Sequence, residues 1–386
     1  MGTSHKHLFS RAIGAAPGRL HFAAHSHHLW PDASHDGHLA CWQDAAALAD
    51  RKWDRIMGEV WPEAQRHVAA ELNLPDPSTV VFAQNTHDFF VRIVSAHPRR
   101  PLRILASDGE FHSFRRQAAR WLEAGVIELE TVPLAGEDFE DRFLARAQEG
   151  DHDLVWISHV MFGTGQVFSG LERLAEIARP EGPWVVVDGY HGFMAAETDL
   201  SRVADRLFYL AGGYKYAMSG EGVAIMHAPP GLGERPQVTG WYAEIADLSD
   251  PSGHVEYAAD ARRFLGATFD PSGLYRFNAV RAMLAQEGLD TAAISAKTES
   301  LKRHLLANIA ETPLAAATLL NPPGPGPQAR FLAFAHPSAQ LWKARLGRED
   351  VIVDVRGDVL RIGFGLYHDE SDVDALVDAL ARLPRT

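Results

Sequence analysis

Residues 184–192 read Trp-Val-Val-Val-Asp-Gly-Tyr-His-Gly, and residues 207–216 read Leu-Phe-Tyr-Leu-Ala-Gly-Gly-Tyr-Lys-Tyr. Each stretch begins with an apolar run that suits one buried strand and then becomes Gly-rich. Continuous apolar strands with helical segments between them are typical of a parallel sheet that helices cover on both faces. Sites in such sheets lie at the carboxyl ends of the strands, which is where Asp188, His191 and Lys215 stand.

Similar short apolar runs recur along the middle of the chain, and amphipathic segments such as 114–124 and 170–178 separate several of them. The other runs are residues 79–83, 102–106, 154–158 and 223–226. This alternation predicts an α/β fold whose large lobe contains a mainly parallel sheet sandwiched by helices.

The pattern changes after residue 274. A long helical segment, 275–311, precedes the Pro- and Gly-rich break 321–327, and three further apolar runs and a last helix follow the break. We expect this part of the chain to form a smaller α/β lobe. The predicted organisation has an N-terminal segment that packs with the small lobe, a large domain and a small C-terminal domain, at residues 1–30, 31–274 and 275–386.

The composition excludes several classes of partner. The chain has 386 residues with 37 Lys and Arg against 50 Asp and Glu, a formal net charge of −13. An acidic chain without a long basic cluster is a poor binder of nucleic acids and anionic membranes. The first thirty residues lack the apolar core of a signal peptide, and no stretch approaches eighteen apolar residues. We therefore expect a cytoplasmic protein that binds neither nucleic acid nor membrane.

Lys215 lies between two tyrosines in a Gly-rich loop that joins two apolar runs, and Asp188 precedes it by 27 residues. Burial would lower the pKa of this lysine, and a neutral amine condenses with an aldehyde to form a Schiff base. The spacing allows one crossover element and one strand, so we expect both side chains to face one pocket. Pyridoxal phosphate requires this pairing, because a carboxylate keeps its pyridine nitrogen protonated. Taken singly, Asp188 also suits a turn or cap, and Lys215 a surface lysine.

These segments resemble the fold type I pyridoxal phosphate enzymes of the class V aminotransferase group, and within it kynureninase most of all. The resemblance extends from about residue 22 to residue 380 and rests on the Asp-Gly-Tyr-His and Gly-Tyr-Lys-Tyr motifs. Weaker matches follow in the same order at residues 158–165, 240–241, 263–266 and 360–367. The resemblance implies a seven-stranded type of sheet, an amino-acid substrate and a homodimer that shares its active sites.

The resemblance also implies a role for each matching residue. Lys215 would hold the cofactor covalently and later move a substrate proton, Asp188 would pair with the pyridine nitrogen, and His191 would lie near the phenolic oxygen. The other implied cofactor contacts are Asn85, Thr86 and His87 in a phosphate-binding turn, Phe111 or His112 stacked on the ring, Tyr214 and Trp241 at the phosphate, and Thr268. A helix N-terminus suits a phosphate, although an ordinary helix cap also explains the turn.

The implied substrate contacts come from both ends of the chain. Arg361 would bind the substrate carboxylate by two parallel hydrogen bonds, with Arg356 as a spare candidate, while a surface ion pair is the alternative for both. The family's N-terminal substrate loop, at the pocket mouth, corresponds here to His25, Ser26 and His27.

Three segments depart from kynureninase. Met161 and Gly163 stand where that enzyme has asparagine and arginine, residues 25–28 replace Asn-Ser-Leu-Gly, and residues 266–268 replace Gly-Thr-Pro. All three lie where the resemblance places the substrate or the partner subunit. Pyridoxal 5'-phosphate is therefore better supported than any particular substrate.

The predicted function is a pyridoxal phosphate-dependent transformation of an amino acid, by amino transfer first and by kynureninase-type hydrolytic side-chain cleavage second. Cysteine desulfurases share the fold but need a mobile nucleophilic cysteine, and Cys41, the only cysteine, lies in an N-terminal helical segment. A metal-dependent hydrolase built on the N-terminal histidines and a cofactor-binding pseudoenzyme are the remaining alternatives. We expect no metal site, because no carboxylate or cysteine near residues 25–28 completes a ligand set.

Overall fold

The computed structural model describes residues 4–136, 138–244 and 254–384. The ends of two predicted regions, residues 1–3 and 385–386, lie outside these ranges. The strands are β1 (Leu20–His21), β2 (Val80–Ala83), β3 (Leu102–Ser107), β4 (Ile127–Val132), β5 (Leu154–Ser158), β6 (Trp184–Asp188), β7 (Leu207–Gly212), β8 (Ala224–His227), β9 (Thr318–Leu319), β10 (Phe331–Ala335), β11 (Val351–Ile352), β12 (Asp354–Arg356) and β13 (Val359–Gly363).

The α-helices separate these strands. They are α1 (Ser10–Ala15), α2 (Asp32–Leu48), α3 (Lys52–Arg55), α4 (Trp61–Leu72), α5 (Thr86–Ala96), α6 (His112–Glu123), α7 (Phe139–Glu149), α8 (Leu171–Ala175), α9 (Ser272–Gln286), α10 (Thr291–Asn308), α11 (Ala339–Gly347) and α12 (Glu370–Ala381). None of the described helices combines the length and the apolar character that crossing a bilayer requires.

Seven strands form the central sheet, in the order β2-β8-β7-β6-β5-β3-β4. Five neighbouring strands, β4, β3, β5, β6 and β7, run parallel to one another, whereas β8 is antiparallel to both β2 and β7. Strands β5 to β7 are buried almost throughout, because helices cover both faces of the sheet. The predicted α/β fold with a mainly parallel sheet between helices is confirmed, and β5, β6 and β7 end side by side.

The smaller lobe contains a four-stranded antiparallel sheet, in the order β12-β13-β10-β9. Helices α10, α11 and α12 cover it with Leu305, Trp342 and Leu376. The N-terminus joins this lobe, because β1 pairs in parallel with β11 and Phe22 lies in the same hydrophobic core.

The two hydrophobic cores meet within α10. Helix α9 and Ile294 pack in the large core, whereas Leu301 is the first residue after them that packs in the small core. The domain boundary at residue 274 stays a prediction.

The single helical segment predicted at 275–311 is wrong in one respect, since two helices occupy it. Gly288, with a φ of +66°, lies between α9 and α10 in the left-handed region. The Asp290 side chain then caps α10 by accepting a hydrogen bond from the backbone nitrogen of Ala293 at 2.7 Å. A glycine followed by an N-capping aspartate is the sequence signal for this break.

Candidate active site

A cavity of about 180 Å³ lies at the carboxyl ends of β5, β6 and β7. Ser158 ends β5, Asp188 ends β6, and Lys215 follows β7 after three residues. The cavity lining consists of Asn85, Thr86, His87, Phe111, Ser113, Ser158, Val160, Phe162, Asp188, Tyr190, His191, Tyr214 and Lys215. Eight of these residues are among the predicted cofactor contacts, so the fold brings most of the predicted site together.

Lys215 is buried, with 5% of its surface exposed. Its Nζ lies 2.6 Å from Nε2 of His191 and 4.5 Å from the centre of the Tyr190 ring. Burial holds the pKa of Lys215 well below its ordinary value, while Asp188 acts in the opposite direction. The structure therefore favours the neutral, nucleophilic amine that the sequence predicts.

Asp188 and His191 follow one another in the turn after β6. Oδ1 of Asp188 accepts a hydrogen bond from the backbone nitrogen of Tyr190 at 3.0 Å, and burial raises the pKa of this carboxyl group. Burial also holds the pKa of His191 well below its ordinary value. Nδ1 of His191 is buried and has no hydrogen-bond partner among the described residues. A bound polar group would satisfy this nitrogen.

Gly212 makes room for Tyr190 beneath the lysine. A Cβ at position 212 would collide with Cζ of the Tyr190 ring, and this glycine ends β7 two residues before Tyr214. The Tyr190 and Tyr214 rings lie 5.0 Å apart. The position of the Tyr190 ring therefore requires a residue without a Cβ at position 212.

The N-terminus of α5 forms one end of the cavity. Asn85 caps the helix by accepting a hydrogen bond from the backbone nitrogen of Asp88 at 3.0 Å, and Thr86 is the first helical residue. The cap and the phosphate interpretations of this turn are therefore compatible. The helix has eleven residues, and its N-terminal amides and positive dipole end suit a phosphate group.

Phe111 supplies an aromatic wall, with its ring centre 5.7 Å from Nζ of Lys215. The ring of Phe162 meets it edge-on at 5.3 Å. His112, the alternative stacking residue, lines the neighbouring groove along α6 instead of this cavity. The geometry favours Phe111 as the residue that stacks on a planar ring.

Trp241 and Thr268 do not line the cavity of the described chain. Nε1 of Trp241 donates a hydrogen bond to Oγ1 of Thr268 at 3.3 Å, and 43% of the tryptophan surface is exposed. These two predicted cofactor contacts thus form an exposed pair of their own.

Arg361 lies in β13, behind the cavity wall, with 2% of its surface exposed. It donates hydrogen bonds to the backbone oxygen of Phe162 and to Oδ2 of Asp354, its partner across the β12–β13 pair. Burial lowers the pKa of Arg361 to about 10. Arg356 is more exposed, and its Nε lies 3.6 Å from the same Asp354 oxygen. The surface ion pair therefore describes Arg356, whereas the ion pair of Arg361 is buried. Carboxylate binding by Arg361 stays a prediction.

The N-terminal loop covers the site without lining the cavity. His25 is fully buried, stacks on Phe331 at 4.7 Å and lies 6.4 Å from the His191 ring, measured between ring centres. His27 stacks on Tyr214 at 4.8 Å. The hydroxyl of Ser26 contacts Nδ1 of His27 at 3.4 Å.

The histidines do not gather into a metal site in the described ranges. Within residues 4–136, 138–244 and 254–384, no group of three His, Cys, Asp or Glu side chains is placed to hold a metal ion. Cys41 lies half-buried in α2, and burial raises the pKa of its thiol.

The sequence reasoning missed five residues of the cavity. Ser158, Val160 and Phe162 fall in residues 158–165, one of the weaker matches to the family, and Tyr190 lies inside the Asp-Gly-Tyr-His motif. The fifth is Ser113. The alternation of side chains past the end of β5 was the available signal for Ser158 and Val160.

Comparisons with known proteins agree with this geometry. A family model described as aminotransferase class-V matches residues 54–376. The chain is 30% identical over 370 residues to an isopenicillin N epimerase from Streptomyces clavuligerus, with 88% of this chain and 89% of that protein covered. This relative is not a kynureninase, so the narrower resemblance stays a prediction.

Two solved structures show the same fold. One is a lysine-to-alanine variant of C-DES with glycine covalently linked to its PLP cofactor, at a TM-score of 0.81 and 18% identity over 99% of this chain and all of that one. The other is the cysteine desulfurase CsdA from Escherichia coli, at a TM-score of 0.80 and 19% identity over 98% of this chain and 96% of that one.

The cofactor is pyridoxal 5'-phosphate, and the residues of the cavity fit it. Lys215 offers a buried amine for the aldehyde, Asp188 a carboxyl group for the pyridine nitrogen, and the α5 N-terminus a cradle for the phosphate. His191 lines the same cavity, and a polar group of the cofactor would satisfy its Nδ1, which has no hydrogen-bond partner among the described residues. The chain therefore belongs to the aminotransferase class-V family.

Proposed function

We propose that the enzyme transfers the amino group of an amino acid and releases the corresponding 2-oxo acid. One observation carries this proposal. The cavity holds a single amine with one close basic partner, since His191 lies 2.6 Å from Nζ of Lys215, and the rings of Tyr190 and Tyr214 pack around it within 6 Å. Amino transfer needs one well-placed base, because the proton that leaves the α-carbon must be delivered, on the same face, to the carbon that came from the cofactor's aldehyde.

Each group has a definite task in this reaction. When bound, pyridoxal phosphate supplies an electron sink that stabilises negative charge at the α-carbon of the substrate. The Lys215 amine, which burial keeps neutral, would accept the α-proton and deliver it on the same face to the carbon that came from the cofactor's aldehyde. Nε2 of His191 holds the amine in place. Phe111 and Phe162 exclude water from the proton transfer.

Arg361 is proposed to bind the substrate carboxylate. Two of its nitrogens already donate to Phe162 and Asp354, while its buried Nε has no hydrogen-bond partner in the described chain. A carboxylate is the group that would satisfy this donor with full charge complementarity. His25 and His27, which cover the site, are proposed to shape the substrate entrance.

Epimerisation is the second candidate, because the relative at 30% identity is an isopenicillin N epimerase. An epimerase must return the proton on the face opposite to the one that lost it. Phe111, Val160 and Phe162 also line the cavity, and none of them can donate a proton. This arrangement favours amino transfer.

Two other reactions are less well supported. Hydrolytic side-chain cleavage of the kynureninase type starts with the same proton removal and is kept as an alternative outcome of the test. Desulfuration through a cysteine nucleophile would require Cys41, which lies in α2 and is not part of the cavity lining.

A half-reaction in the absence of any oxo-acid acceptor distinguishes these reactions. The holoenzyme is mixed with a panel of L-amino acids while its visible absorption and the products are followed. We expect one equivalent of 2-oxo acid per subunit and loss of the visible band with the correct substrate. Appearance of the D-enantiomer without oxo acid would establish epimerisation instead. Alanine together with a second acid would establish side-chain cleavage.

We further propose a homodimer in which Trp241 and Thr268 contact the phosphate in the partner's cavity. The support is their exposure and their position outside the cavity of their own chain. Trp42 and Leu39 of α2 are also exposed apolar residues. Light scattering should give the mass of a dimer. Mixing inactive Lys215→Ala and Trp241→Ala proteins should restore part of the activity, and a strictly monomeric active enzyme would contradict this proposal.

A further inference from the structure

Glu110 is a fully buried carboxyl group to which the proposed reaction gives no task. It lies between β3 and α6, directly before the stacking residue Phe111. Its Oε1 accepts hydrogen bonds from Oγ of Ser107 at 2.6 Å and from the backbone nitrogen of Ser158 at 3.2 Å. Its Oε2 accepts a hydrogen bond from Oγ of Ser158 at 2.5 Å. A glutamate is almost never fully buried unless its carboxyl group is paired.

Ser158 connects this carboxyl group to the cavity. It ends β5, lines the cavity and lies directly beside Asp188 in the β5–β6 pair. The next residue, His159, donates its backbone hydrogen to the backbone oxygen of Asp188 at 2.9 Å. The Ser158 hydroxyl therefore stands between Glu110 and the end of the cavity that holds Asp188.

Burial and hydrogen bonding act on the charge of Glu110 in opposite directions. Burial raises the pKa of Glu110 to about 7, the hydrogen bonds from Ser107 and Ser158 lower it, and the charge of Asp188 raises it. None of these main influences on the pKa of Glu110 is a cation of the described residues. The nearby His159 faces Tyr209, and burial lowers its pKa to about 4.

A serine hydroxyl has one hydrogen, and the partner determines where it points. Next to an ionised Glu110, the Ser158 hydrogen is held by Oε2, and only an oxygen lone pair is free toward the cavity. Next to a protonated Glu110, the carboxyl hydrogen occupies that contact. The Ser158 hydrogen can then point into the cavity.

We propose that Glu110 is a positioning residue that sets the direction of the Ser158 hydroxyl, so that the cavity presents a hydrogen-bond donor to the bound cofactor when Glu110 is protonated and an acceptor when it is ionised. The proposal rests on cofactor binding in this cavity and not on which reaction follows. It makes the environment of the cofactor depend on pH through a group that does not touch it.

The test is a pH titration of the holoenzyme without substrate, from about pH 5.5 to about pH 8.5. Visible absorption of the cofactor and its dissociation constant from equilibrium dialysis are the two readouts. We expect a transition near pH 7 in the unaltered protein, with a change of about threefold in the dissociation constant from one hydrogen bond.

Three variants locate the transition. Glu110→Gln offers Ser158 a permanent donor, and Ser158→Ala removes the hydroxyl, so both should lose this transition. Ser107→Ala is the matched control, because Ser107 touches Glu110 but does not line the cavity. It should keep the transition and move it to higher pH, since the ionised carboxylate loses a hydrogen bond.

Infrared difference spectroscopy of the apo-protein supplies a further readout, with Glu110→Gln as the reference because burial also raises the pKa of Asp188. A protonated carboxyl band that this variant lacks should disappear as the pH rises through about 7. Its absence at pH 6, or an unchanged transition in folded Ser158→Ala, would overturn the proposal. Neither result depends on the amino-transfer assignment, because no substrate is present.

Discussion

Nζ of Lys215 lies 2.6 Å from Nε2 of His191, although both side chains are buried. Burial lowers the pKa of each group, so the structure disfavours a positive charge on either side chain. A neutral imidazole and a neutral amine can share one hydrogen bond without an uncompensated charge. This arrangement suits the proposed role of the Lys215 amine, first as a nucleophile and then as a base.

Replacement of Lys215 by alanine should abolish the covalent link to the cofactor and lower turnover by about a thousandfold or more. Borohydride reduction followed by mass spectrometry of the peptide measures the link. Lys302→Ala is the matched control, because Lys302 is equally buried but pairs with Glu299 at 2.6 Å in the small lobe. A normal turnover in Lys215→Ala would refute the assignment of the site.

Replacement of Gly212 by alanine should displace the Tyr190 ring and weaken cofactor binding. The new Cβ would overlap Cζ of Tyr190, and overpacking of this kind costs about 1–3 kcal/mol. The double variant Gly212→Ala with Tyr190→Ala should recover part of the cofactor affinity. Gly58→Ala, at a position with open space around its Cβ, should have no effect on it. Equal affinities of the single and double variants would show that the collision is not the cause.

The ion pair between Arg361 and Asp354 should show strong energetic coupling. Both side chains are buried, so removing either one leaves an uncompensated charge and should lower the free energy of unfolding by about 3 kcal/mol. The double alanine variant should lose less than the sum of the single variants. Urea unfolding of all four proteins measures the coupling, and strictly additive losses would contradict it.

Arg361→Ala should also raise the KM for the amino acid at least tenfold, whereas Asp354→Ala should raise it less, if Arg361 binds the substrate carboxylate. Steady-state kinetics with the substrate found in the half-reaction provides the measurement. A KM that rises equally in both variants would indicate that the pair acts only through the fold.

Acid should unfold the protein through its buried histidines. Burial lowers the pKa of His21 to about 4 and of His28 to about 3, and both rings contact Tyr367. The unfolded chain therefore binds protons that the folded chain excludes. The stability that neutral histidines confer is complete above about pH 6.5 and is lost as the pH falls toward 4, by at most about 1.4 kcal/mol per pH unit for each ring.

Urea midpoints at pH 7 and pH 5 measure this loss. His28→Gln should reduce the difference between the two midpoints, because glutamine does not titrate. His7→Gln, at an exposed ring, should leave the difference unchanged. A difference that is the same in His28→Gln and in the unaltered protein would exclude His28 as a source.

Features that depend on local sequence patterns can be predicted from the sequence, whereas features that depend on contacts between distant segments cannot. Six strands of the central sheet are visible as apolar runs because both of their faces are buried. β4 was missed, since it lies at the sheet edge and its middle residues Glu128 and Glu130 are not buried. Lys215 and Asp188 were recognisable because strand-end position and residue type coincide.

Other features depend on contacts between distant segments. The pairing of Arg361 with Asp354 follows from the register of two strands, and the burial of Glu110 follows from the packing of β3 against β5. Nothing in the local sequence marks either contact. The hydrogen bond between Trp241 and Thr268, outside the cavity, likewise joins residues that lie 27 positions apart in the chain.

The pairing of β1 with β11 brings together segments that emerge from the ribosome at opposite ends of synthesis. At about 5–20 residues per second, the N-terminal segment must wait tens of seconds for its partner strand. His25, which follows β1, reaches its place over the site only when Phe331 and Gly363 exist. Most of the large core precedes β11 in the chain, although its members Leu366 and Tyr367 follow it. The covered pocket is therefore among the last parts of the molecule to assemble.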